Sequence, residues 1–238
     1  IKGAAMDEEF WLRVSFQTRE DALWAKAGHE VAWQQFTLET GGSRGRSPYQ
    51  PTVGAVNLSE AGDVVTVSGT NFVATFSRAA GTLTSLQFNC RELLATNAAA
   101  GPVLQLFRAP VDNDKGFGKW LAKDWQDAGL ANLNRTVDSF AATQAKNGSV
   151  NITSIATSRG AQGGYKLKTV WTIVGDGSLD MENEFTPVGE LPPALARVGI
   201  VMQLAGDFQN VRWLGRGPWE SYNDRKTSAD LGVWTSTV

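Results

Sequence analysis

Residues Val137 to Phe185 read VDSFAATQAKNGSVNITSIATSRGAQGGYKLKTVWTIVGDGSLDMENEF. Four runs alternate apolar and polar residues: Val137 to Thr143, Ser149 to Thr157, Tyr165 to Val174 and Ser178 to Phe185. Asn147-Gly148, Gly163-Gly164 and Asp176-Gly177 part them. Asn-Gly and Asp-Gly accept the positive φ angles that tight hairpin loops need, so the stretch predicts an antiparallel meander. The same signature extends outward. Val64 to Val67 and Asn71 to Ser77 flank Ser68-Gly69, and Thr82 to Phe88 follows Gly81. Arg91 to Leu94, Val103 to Phe107, Arg197 to Leu204 and Asn210 to Leu214 add further strands. Short strands repeated with such turns predict an all-β sandwich from about Val53 onward. One helix is predicted, Lys119 to Leu130, where Leu121, Trp125 and Ala128 share a face and Gly129 limits the length.

Ahead of this region, Phe10 to Phe16 alternates, with Phe10, Leu12, Val14 and Phe16 on one face; that predicts a half-buried strand. Glu30 to Leu38 predicts a second. Together they read as the last two strands of a small sandwich, since two strands alone are not independently stable. Thr40 to Pro51, rich in Gly, Ser, Arg and Pro, reads as a linker. The expected organisation is therefore 1–39 as the end of one domain, 40–52 as linker and 53–238 as the main sandwich.

A net charge of -2 provides no electrostatic footprint for nucleic acid or an anionic membrane. No run approaches the roughly 18 apolar residues of a membrane span. The single cysteine, Cys90, excludes an intramolecular disulfide and a thiolate metal site. No secretory-signal pattern occurs, and neither cytoplasm nor periplasm is indicated. One His against nine Trp weighs against His-based triads and His-rich metal sites. Abundant Trp suits a sugar-handling protein and a well-filled β-sandwich core alike.

Two stretches carry candidate chemistry. Arg108 to Gly118 (RAPVDNDKGFG) sets Asp112, Asn113 and Asp114 in a row. Such side chains can make turns and caps, ligate a hard cation, or bond sugar hydroxyls. Trp213 to Trp234 (WLGRGPWESYNDRKTSADLGVW) combines aromatics and charges around a predicted turn at Gly215 to Pro218. It reads either as an ion-paired loop packed on a sheet or as a polar-ligand site. Glycoside hydrolysis needs two carboxyls roughly 5 to 9.5 Å apart. Glu220 and Asp224 are the best local pair, but Arg216 and Arg225 stand ready to neutralise them, which makes a poor general acid. His29 reads as a structural group.

Three stretches taken together, AGHEVAWQQFTL, RAPVDND and WLGRGPWESYNDRKTSADLGVW, resemble the C-terminal third of the large β-galactosidases of glycoside hydrolase family 2. The last is similar to that family's G-x-G-P-x-E-x-Y-x-D-R pattern at Gly215, Gly217, Pro218, Glu220, Tyr222, Asp224 and Arg225. The resemblance implies the end of an immunoglobulin-like domain up to about Leu38. From about Val53 it implies the first part of a galactose-mutarotase-like β-supersandwich. It implies catalytic glutamates on a TIM barrel outside this sequence, hence no catalytic residue here. It also implies substrate-proximal positions at Arg108, Asp112, Asn113, Asp114, Trp219, Glu220, Tyr222, Asp224 and Arg225, with Gly116 to Lys123 near the substrate entrance. The implied partners are a β-galactoside substrate, the barrel-bearing part and possible further copies of the enzyme in a homo-oligomer, with no nucleic acid and no membrane. No cofactor is expected in this chain, magnesium and sodium serving the barrel of the full enzyme. The family pattern continues past the equivalent of Val238, to a sugar-stacking tryptophan with no counterpart here, so a fragment is expected. The alternative is a free-standing carbohydrate-binding domain or mutarotase-like sugar epimerase, for which His29 would be the only histidine base.

Overall fold

The computed structural model describes residues 10–38, 54, 56–96, 100–116, 118 and 120–238. The linker expected at 40–52 lies outside them. The chain forms two compact units, one from Ile1–Gln50 with Phe208–Val238 and one from Pro51–Asp207.

In the first unit, β1 (Phe10–Gln17) pairs antiparallel with β2 (Glu30–Leu38), Phe10 lying opposite Leu38 and Gln17 opposite Glu30. The predicted alternation holds, but half-burial does not. Leu12 is 47% exposed and Phe16 67%, with Val14 and Phe36 of the same face also exposed. Alternation sets which side chains share a face; burial needs a second layer, and the described residues of this unit place none over them.

The second unit begins with a five-stranded antiparallel sheet in sequence order: β3 (Asn57–Ala61), β4 (Val64–Ser68), β5 (Phe72–Ser77), β6 (Thr82–Phe88) and β7 (Arg91–Glu92). The polar run NLSEA is missed as a strand by apolar patterning. It forms β3 as an edge strand by pairing with β4. Next come β8 (Val103–Gln105), a 3₁₀ turn over Asp112–Lys115 and α1 (Leu121–Asp127), shorter than predicted. The meander is β9 (Asn134–Gln144), β10 (Val150–Arg159), β11 (Gly163–Ile173) and β12 (Leu179–Gly189), in sheet order 12-11-10-9. Gly163-Gly164 is not a turn but the start of β11. A Cβ at Gly164 would fall on the Ser158 carbonyl, so the glycine serves a close strand approach. The turn is set back to Gly160, whose N–H reaches Gly163 O at 2.9 Å. β13 (Gly199–Val201) returns to pair with β8.

The two large sheets face each other across one core. Val65, Val67, Phe72, Ala74 and Phe76 of the first pack with Val150, Ile152, Trp171 and Ile173 of the second. Trp171 meets Phe76 edge to face at 5.4 Å. Every second residue of β10 is buried, as a strand with one core-facing side requires. The fold is therefore an all-β sandwich, as expected. A second cluster joins Leu104 and Leu106 to Trp125 and Ala128 of the helical segment, Leu130 and Leu167.

The chain then returns to the first unit with β14 (Asn210–Gly217) and β15 (Asp230–Thr237), Trp213 opposite Trp234 and Gly217 opposite Asp230. Gly215 to Gly217 is strand, not the turn predicted there. The Trp234 ring covers Gly217 so closely that a Cβ would lie 2.5 Å from it. The connecting loop begins only at Pro218.

Candidate functional site

The two sequence-predicted clusters fall in different compact units. In the second unit, the residues from Arg108 to Asp114 close a charged knot. Arg108 donates from Nη1 and Nη2 to the Asp114 carboxylate, at 2.6 and 3.1 Å. Asp114 also accepts the Val111 N–H at 2.8 Å, capping the 3₁₀ turn from inside. The Arg108 guanidinium lies over the Trp125 ring at 5.3 Å, and Trp125 Nε1 donates to Ala194 O at 2.8 Å. Asp114 is only 6% exposed. The Arg108 guanidinium holds its carboxyl below the usual carboxylate range, against the opposing effect of burial. Of the three side chains set in a row, Asp114 thus turns inward as structure, whereas Asp112 and Asn113 are exposed. A 3₁₀ turn sends neighbours in different directions, which sequence adjacency does not reveal. Within Gly116 to Lys123, Phe117 and Lys119 lie outside the described residues, and Trp120 is exposed. Among the described residues, no three His, Cys, Asp or Glu side chains gather to hold a metal ion.

In the first unit, the loop after β14 carries Trp219, Glu220, Tyr222, Asp224 and Arg225, all exposed, Trp219 by 66%. Its frame is backbone-directed. Arg216 Nη1 donates to Ala229 O at 2.8 Å and Lys226 O at 3.3 Å, and Trp213 Nε1 to Arg216 O at 3.0 Å. Trp234 Nε1 donates to Gly215 O at 3.1 Å. The Arg225 N–H closes a turn onto Tyr222 O at 2.8 Å. The expected neutralisation of Glu220 and Asp224 by Arg216 and Arg225 does not occur among the described residues. Arg216 instead binds carbonyls across the loop's base, a partner choice that only the chain path decides. The loop therefore presents its acids, its Arg and two aromatic rings to solvent.

Beside this loop runs an open cleft of about 670 Å³ between β2 and the start of β15. The sequence reading missed it, because its partners stand nearly the whole chain apart. Arg13 donates to both oxygens of Glu30 at 2.7 Å and to Asp230 at 3.1 Å. Trp33 Nε1 donates to Asp230 at 3.2 Å. The Gln35 side-chain amide exchanges two hydrogen bonds with the Leu231 backbone, at 2.7 and 2.8 Å, as a strand neighbour would. Glu30 titrates below its ordinary range, first because of Arg13. His29 is exposed, its ring edge-on to Trp24 at 5.4 Å.

Comparison with known families places two successive matches on the chain, separated by residues 40–67. Residues 68–238 match the family described as beta galactosidase small chain, and residues 1–39 match beta-galactosidase domain 4. Among curated proteins, a beta-galactosidase of Priestia megaterium is 29% identical over 97% of this chain and 21% of its own length. One from Vibrio cholerae is 31% identical over 98% of this chain and 23% of its own. One from Arthrobacter is 30% identical over 97% and 22%. The chain thus spans about a fifth of the length of the relatives it matches.

Proposed function

The chain belongs to the β-galactosidase small-chain family, and from that premise we propose that it is a non-catalytic, sandwich-built portion of a glycoside hydrolase family 2 β-galactosidase. The whole enzyme would hydrolyse terminal non-reducing β-D-galactose residues, with its acid and nucleophile on a barrel borne elsewhere. The observation that carries this reading is the pair of matches, domain 4 followed by small chain, on one chain that spans a fifth of its relatives' length. Two physical features support it. The apolar face of β1 and β2 is the kind of surface that the rest of a sandwich covers. Among the described residues, Asp21, Glu30, Asp63, Glu92 and Asp114 are held below the ordinary carboxylate range by hydrogen bonds and neighbouring cations, whereas a glycosidase acid must be raised.

On this reading the boundaries stand at 1–39 for the end of the immunoglobulin-like domain, 40–52 for the linker and 53–238 for the mutarotase-like supersandwich. On the same reading the exposed Trp219, Glu220, Tyr222, Asp224 and Arg225 of the first unit are substrate-proximal positions of the whole enzyme, and so, taken separately, are Asp112 and Asn113 of the second unit, whose loop Arg108 and Asp114 shape. Magnesium and sodium, on this reading, serve the barrel of the whole enzyme, and no cofactor is assigned to this chain. The test is complementation. The purified chain leaves an aryl β-galactoside unhydrolysed, and adding the barrel-bearing polypeptide of the same enzyme produces turnover above that of the barrel part alone. Turnover by this chain by itself, after contaminating enzyme is excluded, would overturn the proposal.

A further inference from the structure

The cleft beside β2 has features that neither the family matches nor the proposed role in the enzyme use. Trp33 lines it and is held by two neighbours. Asp230 holds its Nε1, and the Arg13 guanidinium lies over the ring at 5.5 Å without lining the cleft. An aromatic surface fixed in this way loses little conformational freedom when a ligand stacks on it. The opposite wall supplies Arg216 and Lys226. Arg216 uses Nη1 on two carbonyls, leaving further donors of its fork, and Lys226 has no carboxylate partner among the described residues. Beneath Trp33, Arg13 is shared by Glu30 and Asp230, a triad with one net negative charge. Against it the two cations of the facing wall leave the cleft net positive. Asn223 and Thr227 also line it, with side chains that take no hydrogen-bond partner among the described residues. The volume falls within the roughly 300–1,000 Å³ of small-molecule sites.

We propose that this cleft is a separate binding site for a carboxylated pyranoside, whose C–H face stacks on Trp33 and whose carboxylate meets Arg216 and Lys226. The planar Arg fork suits a carboxylate. The free amide of Asn223 and hydroxyl of Thr227 suit ring hydroxyls, which both donate and accept. A phosphate is served less well. Phosphate sites usually offer backbone N–H groups, whereas the short helical turn here, Lys226–Ser228, aims carbonyls at Arg216. The inference goes beyond the proposed enzyme role and stands without it.

The test is an NMR titration of the full 238-residue chain, following the Trp33 indole N–H, with D-galacturonate, D-galactose and uridine monophosphate as separate probes. Galacturonate is expected to saturate the Trp33 shift in the millimolar range. Galactose, which lacks the carboxylate and so both of its ion pairs, should bind up to about 25-fold more weakly, each exposed pair contributing at most about fivefold. Lys226→Ala, on an exposed 3₁₀ turn, removes one of the two pairs and should weaken galacturonate by up to about fivefold while leaving galactose unchanged. Equal affinity for the two sugars, no saturation by galacturonate, indifference to Lys226→Ala, or tighter binding of the nucleotide would each overturn the proposal.

Discussion

Replacing Asp114 by Ala separates a structural from a ligand-facing role for the Asp112 to Asp114 row. The carboxylate accepts two bonds from Arg108 and one from the Val111 N–H, and its side chain is 8% exposed against 22% for Arg108. Its loss removes the carboxylate that the Arg108 guanidinium over Trp125 bonds twice, and leaves the Val111 N–H without that acceptor in a largely dry site. Breaking a fully buried pair costs about 3–5 kcal/mol. Arg108 retains some water, so about 2–3 kcal/mol is expected here. With a urea slope of about 2 kcal/mol per molar, the midpoint should fall by about 1–1.5 M at neutral pH. Asp112→Ala and Asn113→Ala, both exposed, should stay within about 0.5 kcal/mol of the parent. Because Arg108 depresses the folded carboxyl, its stabilisation is complete above the unfolded value of about 3.9 and is lost as pH falls through the lower folded value. The gap between parent and Asp114→Ala should therefore narrow below about pH 4. A double-variant cycle with Arg108→Ala isolates the coupling. An Asp114→Ala midpoint indistinguishable from that of Asp112→Ala, or a gap independent of pH, would refute the reasoning.

Trp171→Ala removes the ring that meets Phe76 between the two sheets and should cost about 3–5 kcal/mol, measured by urea unfolding. Gln35→Ala cuts both amide bonds to the Leu231 backbone and should cost about 1–2 kcal/mol, with faster hydrogen exchange at the Leu231 N–H. Gly217→Ala drives a methyl group into the Trp234 ring and should destabilise by about 1–3 kcal/mol, with a shift of the Trp234 indole resonance. An unshifted indole signal would show that the strand gives way instead.

Alternation and turn chemistry made the sandwich legible. The runs of β9 to β12 were visible because side-chain periodicity and Asn-Gly or Asp-Gly turns are local properties. The edge strand β3 and the strand character of Gly163, Gly164 and Gly215 to Gly217 were hidden. There the neighbouring strand, not the residues' own preferences, determines the conformation. In the candidate site, the sequence marked Asp112 to Asp114 and Trp219 to Arg225 as chemically rich. It did not separate the inward Asp114 from the outward Asp112, nor show that Arg216 would choose carbonyls over Glu220 and Asp224.

By itself the sequence determined the all-β class, the principal strands and the resemblance that the family match bears out, because periodicity, turn residues and spaced motifs lie along the chain. Only the tertiary structure decided the return of β14 and β15 to the first hairpin, the Arg13, Trp33 and Gln35 bonds to residues near 230, and hence the cleft. Such contacts depend on which distant backbone closes against which, and nothing within a local window records that choice.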